Sequence, residues 1–176
     1  GVLCGSKDLI RDVFRGPYMT LGAMLSPHDA WLMIRGLRTL PLRLRQVAAT
    51  TAAVVEYLST HPKIERIWYP HDVNNSHSAL TQAQLRGANG LFSCTIRCES
   101  TRAIERFCEA LQRFLMTVSW GGYESLVFPV AAVYPPDTRV GVERAGQVPV
   151  NLVRLSIGLE EPDVLIADLA QALDRV

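Results

Sequence analysis

Lysine is nearly missing from this chain. Of 18 basic residues only Lys7 and Lys63 are lysines; the others are arginines, spread along the sequence without forming a tail. They face 17 acids, leaving a net charge of +1. No large field therefore invites nucleic acid. No apolar run has the length of a membrane span. The opening Gly1-Val-Leu-Cys-Gly-Ser-Lys7 has neither the basic start nor the long apolar stretch of a secretory signal. It also lacks an initiator methionine, so the expectation is a chain that begins inside a longer protein. Gly-x-Gly-x-x-Gly, a phosphate loop and Gly-x-Ser-x-Gly are all absent, which removes the commonest nucleotide-binding and serine-hydrolase signatures.

Cysteine is present but unpatterned. Cys4, Cys94, Cys98 and Cys108 contain no Cys-x-x-Cys pair. In Leu91-Phe-Ser-Cys-Thr-Ile-Arg-Cys98 the even positions, Phe92, Cys94, Ile96 and Cys98, form one apolar strand face. Cys108 shares a helical stripe with Ile104, Phe107 and Leu111. These read as small core side chains. Reduced thiols and a cytoplasmic location follow. His28, His61, His71 and His77 fall in loops or at helix starts with no ligand spacing among them. No metal site is expected. Arg35, Arg38, Arg43 and Arg45 read as a solvated or subunit-contact face of their helices.

What remains is a 176-residue chain that is 48% hydrophobic and 20% charged, enough for a packed core. Ser6 caps a first helix over 7–15, ended by Gly16-Pro17, and 16–25 reads as a packed loop. Ser26-Pro-His-Asp29 is a strong helix start, with serine at the cap, proline next and an acid three residues on. That helix is expected to run to about Gly36. A second, longer one then starts near Thr39 and ends at Leu58, with Leu44, Ala48, Thr51, Val55 and Leu58 toward the core. Strands are expected over 64–69, 91–98, 114–118, 126–128 and 151–157. Helices are expected over 78–86, 100–112 and 162–176, and a long Pro- and Gly-rich loop over 129–149. The alternating strands predict an α/β domain of α+β two-layer type: a mostly antiparallel sheet with helices on one face.

Two stretches stand out. In Asn151-Leu-Val-Arg-Leu-Ser-Ile-Gly-Leu-Glu160, Val153, Leu155 and Ile157 alternate with Leu152, Arg154 and Ser156. The first set serves a core and the second points away from it. An arginine inside an apolar strand needs a reason, because a buried guanidinium without a partner is costly. One reading is a solvated or internally paired arginine; the other is a fork that grips a carboxylate ligand. In Val118-Ser-Trp-Gly-Gly-Tyr-Glu-Ser-Leu126 a strand runs into two glycines, where backbone can approach a ligand closely. A common turn with an aromatic over it gives the same composition.

Four segments, in order, resemble the Cys/Met-metabolism enzymes that use pyridoxal phosphate (PLP), a family that includes cystathionine β-lyases, cystathionine γ-synthases and methionine γ-lyases. They are Leu25-Ser-Pro-His-Asp-Ala-Trp-Leu-Met-Ile-Arg-Gly-Leu-Arg-Thr-Leu-Pro-Leu-Arg43, His61-Pro-Lys-Ile-Glu-Arg-Ile-Trp-Tyr-Pro70, Ser119-Trp-Gly-Gly-Tyr-Glu-Ser-Leu126 and Leu152-Val-Arg-Leu-Ser-Ile-Gly-Leu-Glu160. The resemblance implies a fold-type I enzyme, with residues 1–38 as the tail of its large PLP-binding domain and linking helix, and 39–176 as its C-terminal small domain. It implies that Arg154 binds the α-carboxylate of an amino-acid substrate, with Ser119 helping and Trp120 beside them. Trp120 stands where bacterial cystathionine β-lyases have tryptophan and the γ-enzymes usually have leucine, which favours β-elimination of a C–S bond, as in cystathionine, to thiol, ammonia and pyruvate; the alternatives are a γ-synthase or γ-lyase of the same family, or a non-catalytic subunit-contact module. The Schiff-base lysine is implied to lie upstream: neither Lys7 nor Lys63 sits in the family's Ser-x-x-Lys, so no catalytic and no cofactor-binding residue is expected in this chain, and the chain alone should be inactive. The remaining implied features are a homotetramer with shared active sites, and no nucleic-acid or membrane partner. The chain departs from the family at Gln46-Val47 and at Val130-Ala-Ala-Val-Tyr134.

Overall fold

The computed structural model describes residues 2–22, 24–72, 75–98, 100–130 and 148–176. The expected long loop over 129–149 lies almost wholly outside the described residues. By its internal packing the chain forms two units, Gly1–Pro41 and Leu42–Val176.

The first unit is helical. Helix α1 (Lys7–Val13) starts as its sequence requires, with the Leu9 N–H donating to Ser6 Oγ at 3.2 Å. The expectation that Gly16-Pro17 ends it is corrected. The helix widens into a π-helical turn, Phe14–Tyr18, and runs on into the short α2 (Met19–Leu21). A π turn moves the hydrogen-bonding register by one residue, so the missing N–H of Pro17 interrupts the ladder without stopping it. Gly22, at φ 64°, ends the run in the left-handed conformation that glycine tolerates.

Helix α3 (Pro27–Thr60) is capped by the Ser26 side chain. Asp29 N–H donates to Ser26 Oγ at 3.1 Å, and Ser26 Oγ donates to Asp29 Oδ2 at 2.7 Å. Two helices were expected here, and the structure has one of 34 residues with Pro41 inside it. Proline removes a single backbone donor, and the flanking Leu, Arg and Gln residues favour helix strongly enough to carry it past that gap. The expected core line holds at Thr51, Val55 and Leu58, but Leu44 is exposed and Thr50 and Val54 are buried instead.

The second unit is a sheet with helices. Strands β1 (Ile64–Trp68), β2 (Leu91–Ile96), β3 (Leu115–Met116), β4 (Leu126–Pro129) and β5 (Leu152–Ser156) form one sheet in the order β1-β2-β5-β4-β3. Three pairings are antiparallel, and β3–β4 is parallel. The sheet is therefore mixed but mostly antiparallel. Besides the end of α3, the helices among the described residues are α4 (Ser78–Gln84), α5 (Thr101–Ala110) and α6 (Pro162–Leu173).

The alternation read from the sequence sets the core. Val153, Leu155 and Ile157 are buried, together with Phe92, Cys94 and Ile96 of β2 and Val127 of β4. Against them pack Val54 and Leu58 of α3, Ile104, Phe107 and Cys108 of α5, and Leu165, Leu169 and Leu173 of α6. Helices α3, α5 and α6 pack on that face. Asp168 ties α6 to the chain beyond α5: its carboxylate accepts from the backbone N–H groups of Gln112 (2.9 and 3.1 Å) and Arg113 (2.8 Å). No helix among the described residues is long and apolar enough to cross a membrane.

Candidate functional site

The face away from the helices carries the unusual arginine. Strand register places Trp68 opposite Ser93, Ser93 opposite Arg154, and Arg154 opposite Phe128. The four form one row across four strands. The Arg154 Cζ stands 4.8 Å from the centroid of the Phe128 ring, a cation–π contact. Its Nη2 donates to the backbone carbonyls of Val118 and of Ser119, the latter at 3.1 Å. Arg154 is half-buried, and among the described residues no acid lies within ion-pair distance of it. Its charge is thus met by backbone dipoles and an aromatic face, neither of which neutralises it.

The sequence pointed to Ser119, Trp120 and Arg154, and the structure brings Arg154 and Ser119 into contact. The contact uses the serine's carbonyl, and the side chain of Ser119 is exposed. Trp120 is 63% exposed, so its indole stands clear of the sheet on the same turn. The turn itself is held from several directions. Gly121, at φ 80°, donates its N–H to Ser156 Oγ at 3.2 Å. Ser156 is buried, two residues along β5 from Arg154 and on the same face. One strand therefore supplies both the arginine and an anchor for the turn.

Residues that sequence reasoning missed complete the scaffold. Ser125, fully buried, donates its backbone N–H to Glu160 Oε1 at 2.9 Å and its hydroxyl to Glu160 Oε2 at 2.8 Å. The same hydroxyl accepts from Gly158 N–H at 2.9 Å, and Leu159 N–H donates to the Tyr123 carbonyl at 2.8 Å. Glu160 closes the Gly-Leu-Glu segment that follows β5. An acid next to an apolar strand end was the only local signal. Phe128 gave none, since its role depends on which strand lies next to β5.

The arrangement fits an anion. A guanidinium held by neutral partners on a glycine turn offers a directional, undischarged site for a carboxylate. The lysine that would hold a cofactor is not supplied by this sheet. Lys63, the only lysine of the second unit, donates Nζ to the Leu173 carbonyl at 2.8 Å and the Val176 carbonyl at 3.3 Å, and so closes the end of α6. Among the described residues no group of three His, Cys, Asp or Glu side chains gathers to hold a metal. A cleft of about 860 Å³ opens elsewhere, along β1 and α4, lined by Arg66, Trp68, His77 and Leu80 among others; neither Arg154 nor Ser119 lines it.

The chain is similar to known proteins along nearly its whole length. A family model described as Cys/Met metabolism PLP-dependent enzyme matches residues 1–174. A cystathionine beta-lyase of Bordetella avium is 41% identical over 175 residues, which are 99% of this chain and 42% of that protein. An L-methionine gamma-lyase of Pseudomonas putida is 36% identical over 180 residues, covering 98% of this chain and 44% of that protein. The chain thus spans less than half the length of the curated relatives it matches. Among solved structures, a candidate O-acetylhomoserine (thiol)-lyase of Campylobacter jejuni, carrying N'-pyridoxyl-lysine-5'-monophosphate, superposes with a TM-score of 0.82 at 30% identity. That match covers 97% of this chain and 41% of that one. With the family model matched over nearly its whole length, the chain belongs to the Cys/Met metabolism PLP-dependent enzymes.

Proposed function

We propose that this chain is the substrate-carboxylate-binding portion of a PLP-dependent C–S lyase that acts on a sulfur amino acid such as cystathionine. One observation carries the reading: the guanidinium of Arg154, free of any acid among the described residues, meets the backbone of Ser119 at the glycine turn. Arg154 binds the α-carboxylate. The Ser119–Gly122 turn forms the wall beside it, and the Ser119 hydroxyl, exposed on that turn, adds a donor. Fixing the carboxylate fixes the direction of the bonds at the neighbouring carbon, and such positioning is a large share of a lyase's work. The cofactor supplies the electron sink when bound. It is held by residues other than those of this sheet, so the chain alone is inactive. Residues 1–38 belong with the PLP-binding domain, and the working enzyme is a cytoplasmic homotetramer.

The favoured reaction is β-elimination. Trp120 and the 41% identity to a cystathionine beta-lyase support it. The alternative is γ-elimination or γ-replacement, supported by the methionine gamma-lyase and by a cystathionine gamma-synthase of Arabidopsis thaliana that is 32% identical over 176 residues. Cystathionine separates them. The full-length, cofactor-loaded protein should release pyruvate and homocysteine from it; release of 2-oxobutyrate and cysteine overturns the β reading. Arg154→Ala should raise KM for the amino acid by two orders of magnitude or so, the scale of a lost charge-assisted pair. An unchanged kcat/KM removes Arg154 from the site.

A further inference from the structure

Arg154 is a long side chain with several rotatable bonds, and its usefulness as a carboxylate fork depends on its being held still. Two supports hold it, and they differ in kind. The carbonyls of Val118 and Ser119 accept from Nη2. The Phe128 ring lies beneath Cζ at 4.8 Å, on the neighbouring strand and in direct register. The carbonyls consume N–H donors. The ring does not, because a cation over an aromatic face leaves the edge of the guanidinium open. A carboxylate side chain at position 128 would hold the arginine more tightly, but it would occupy the fork and cancel the charge the ligand needs. A leucine there would fill the space and leave the guanidinium untethered on that side. Phenylalanine orients the fork and shields one side from water while leaving the N–H edge available.

We infer that Phe128 is a positioning residue for carboxylate recognition, acting through Arg154. The inference rests on the reading of Arg154 given above. It assigns to a half-buried strand residue a role in ligand affinity that packing alone does not require.

The test uses the full-length, cofactor-loaded protein and two competitive inhibitors of cystathionine turnover: L-norleucine, and pentylamine, which is the same molecule without its carboxylate. In Phe128→Leu, norleucine should bind more weakly, on the order of 2- to 30-fold, while pentylamine is unchanged. Phe128→Tyr, which keeps the ring, should restore norleucine binding. In an Arg154→Ala background Phe128→Leu should add nothing, because the two act as one unit. Equal weakening of both inhibitors in Phe128→Leu, or no change in either, overturns the inference. Should Phe128→Leu fail to fold, Phe128→Met removes the ring with similar bulk and is held to the same criteria. Arg154→Ala alone separates the two readings. If it does not discriminate norleucine from pentylamine, carboxylate binding by Arg154 fails and the role of Phe128 falls with it. If it does discriminate and Phe128→Leu does not, only the role of Phe128 is lost.

Discussion

The carboxylate of Glu160 accepts from both hydrogen-bond donors of Ser125, the backbone N–H at 2.9 Å and the hydroxyl at 2.8 Å, across 35 residues of chain. This joins the segment after β5 to the far end of the glycine turn, so the strand that carries Arg154 and the turn that faces it move together. Glu160 is itself tethered, its backbone carbonyl accepting from Thr50 Oγ1 of α3 at 3.3 Å. Glu160→Ala leaves two donors of a fully buried serine without an acceptor, at a cost of about 1–3 kcal/mol each. Glu160→Gln keeps one carbonyl oxygen and should cost roughly half as much. Urea denaturation of both variants gives the order. Equal, negligible losses would show that the strap bears no load.

Gly158 tests the same junction by steric means. A Cβ placed there collides with the Tyr123 carbonyl oxygen and meets the Glu124 carbonyl carbon at 2.6 Å. Both are backbone atoms, so the turn has to move. Gly158→Ala should destabilise by about 1–3 kcal/mol and shift Ser119–Gly122 away from Arg154. In the full-length protein KM should then rise more than kcat falls. A loss of kcat with KM unchanged would mean that the turn does not touch the substrate.

Asp168 is a purely structural counterpart. It is 6% exposed and takes two backbone N–H groups, those of Gln112 and Arg113, and the Gln171 amide at 3.0 Å. Asp168→Ala leaves those donors facing a gap, which costs about 3–5 kcal/mol in all. Asp168→Asn retains one acceptor oxygen and should cost less. Since Asp168 fastens α6 to the α5–β3 connection, the fraction of folded protein should fall while KM of the folded fraction stays the same. Thermal unfolding and a KM measurement on the same samples check both halves.

Local pattern made the core of the second unit readable. Alternation along Leu152–Ile157 separates buried Val153, Leu155 and Ile157 from half-buried Arg154, as period-two geometry demands. The capping residues Ser6, Ser26 and Ser100 each accept the backbone N–H three residues on. Where sequence and structure part, a non-local or marginal term decides. Gly16-Pro17 and Pro41 are breakers by propensity, yet helix passes both, because one missing donor is a smaller loss than a new pair of helix ends. The parallel β3–β4 pairing has no local signature. Ser119, Trp120 and Arg154 could be named from motif likeness. Phe128 and Glu160 could not be tied to them until strand order put β4 beside β5.

The buried thiols make stability fall at high pH. Burial pushes Cys94 from 9.0 up to about 12. It does the same to Cys108, with the nearby charge of Glu109 adding to the rise. A raised pKa means that the folded state keeps its proton where the unfolded chain has lost it. The contribution is therefore complete below pH 9 and is lost as pH climbs from 9 toward 12. Each thiol should steepen the decline by about 1.4 kcal/mol per pH unit in that window. Tyr69, raised by burial, acts in the same direction from about pH 10 upward. Denaturant midpoints measured at pH 8, 9, 10 and 10.5 should drop with a slope that Cys94→Ala and Cys108→Ala each reduce, whatever their effect on absolute stability. Iodoacetamide at pH 8 gives an independent reading: exposed Cys4 should be modified in the folded protein, while Cys94 and Cys108 react only after unfolding. Rapid native-state labelling of Cys94, or a slope unaltered in both alanine variants, would show that these thiols are not held protonated by the core.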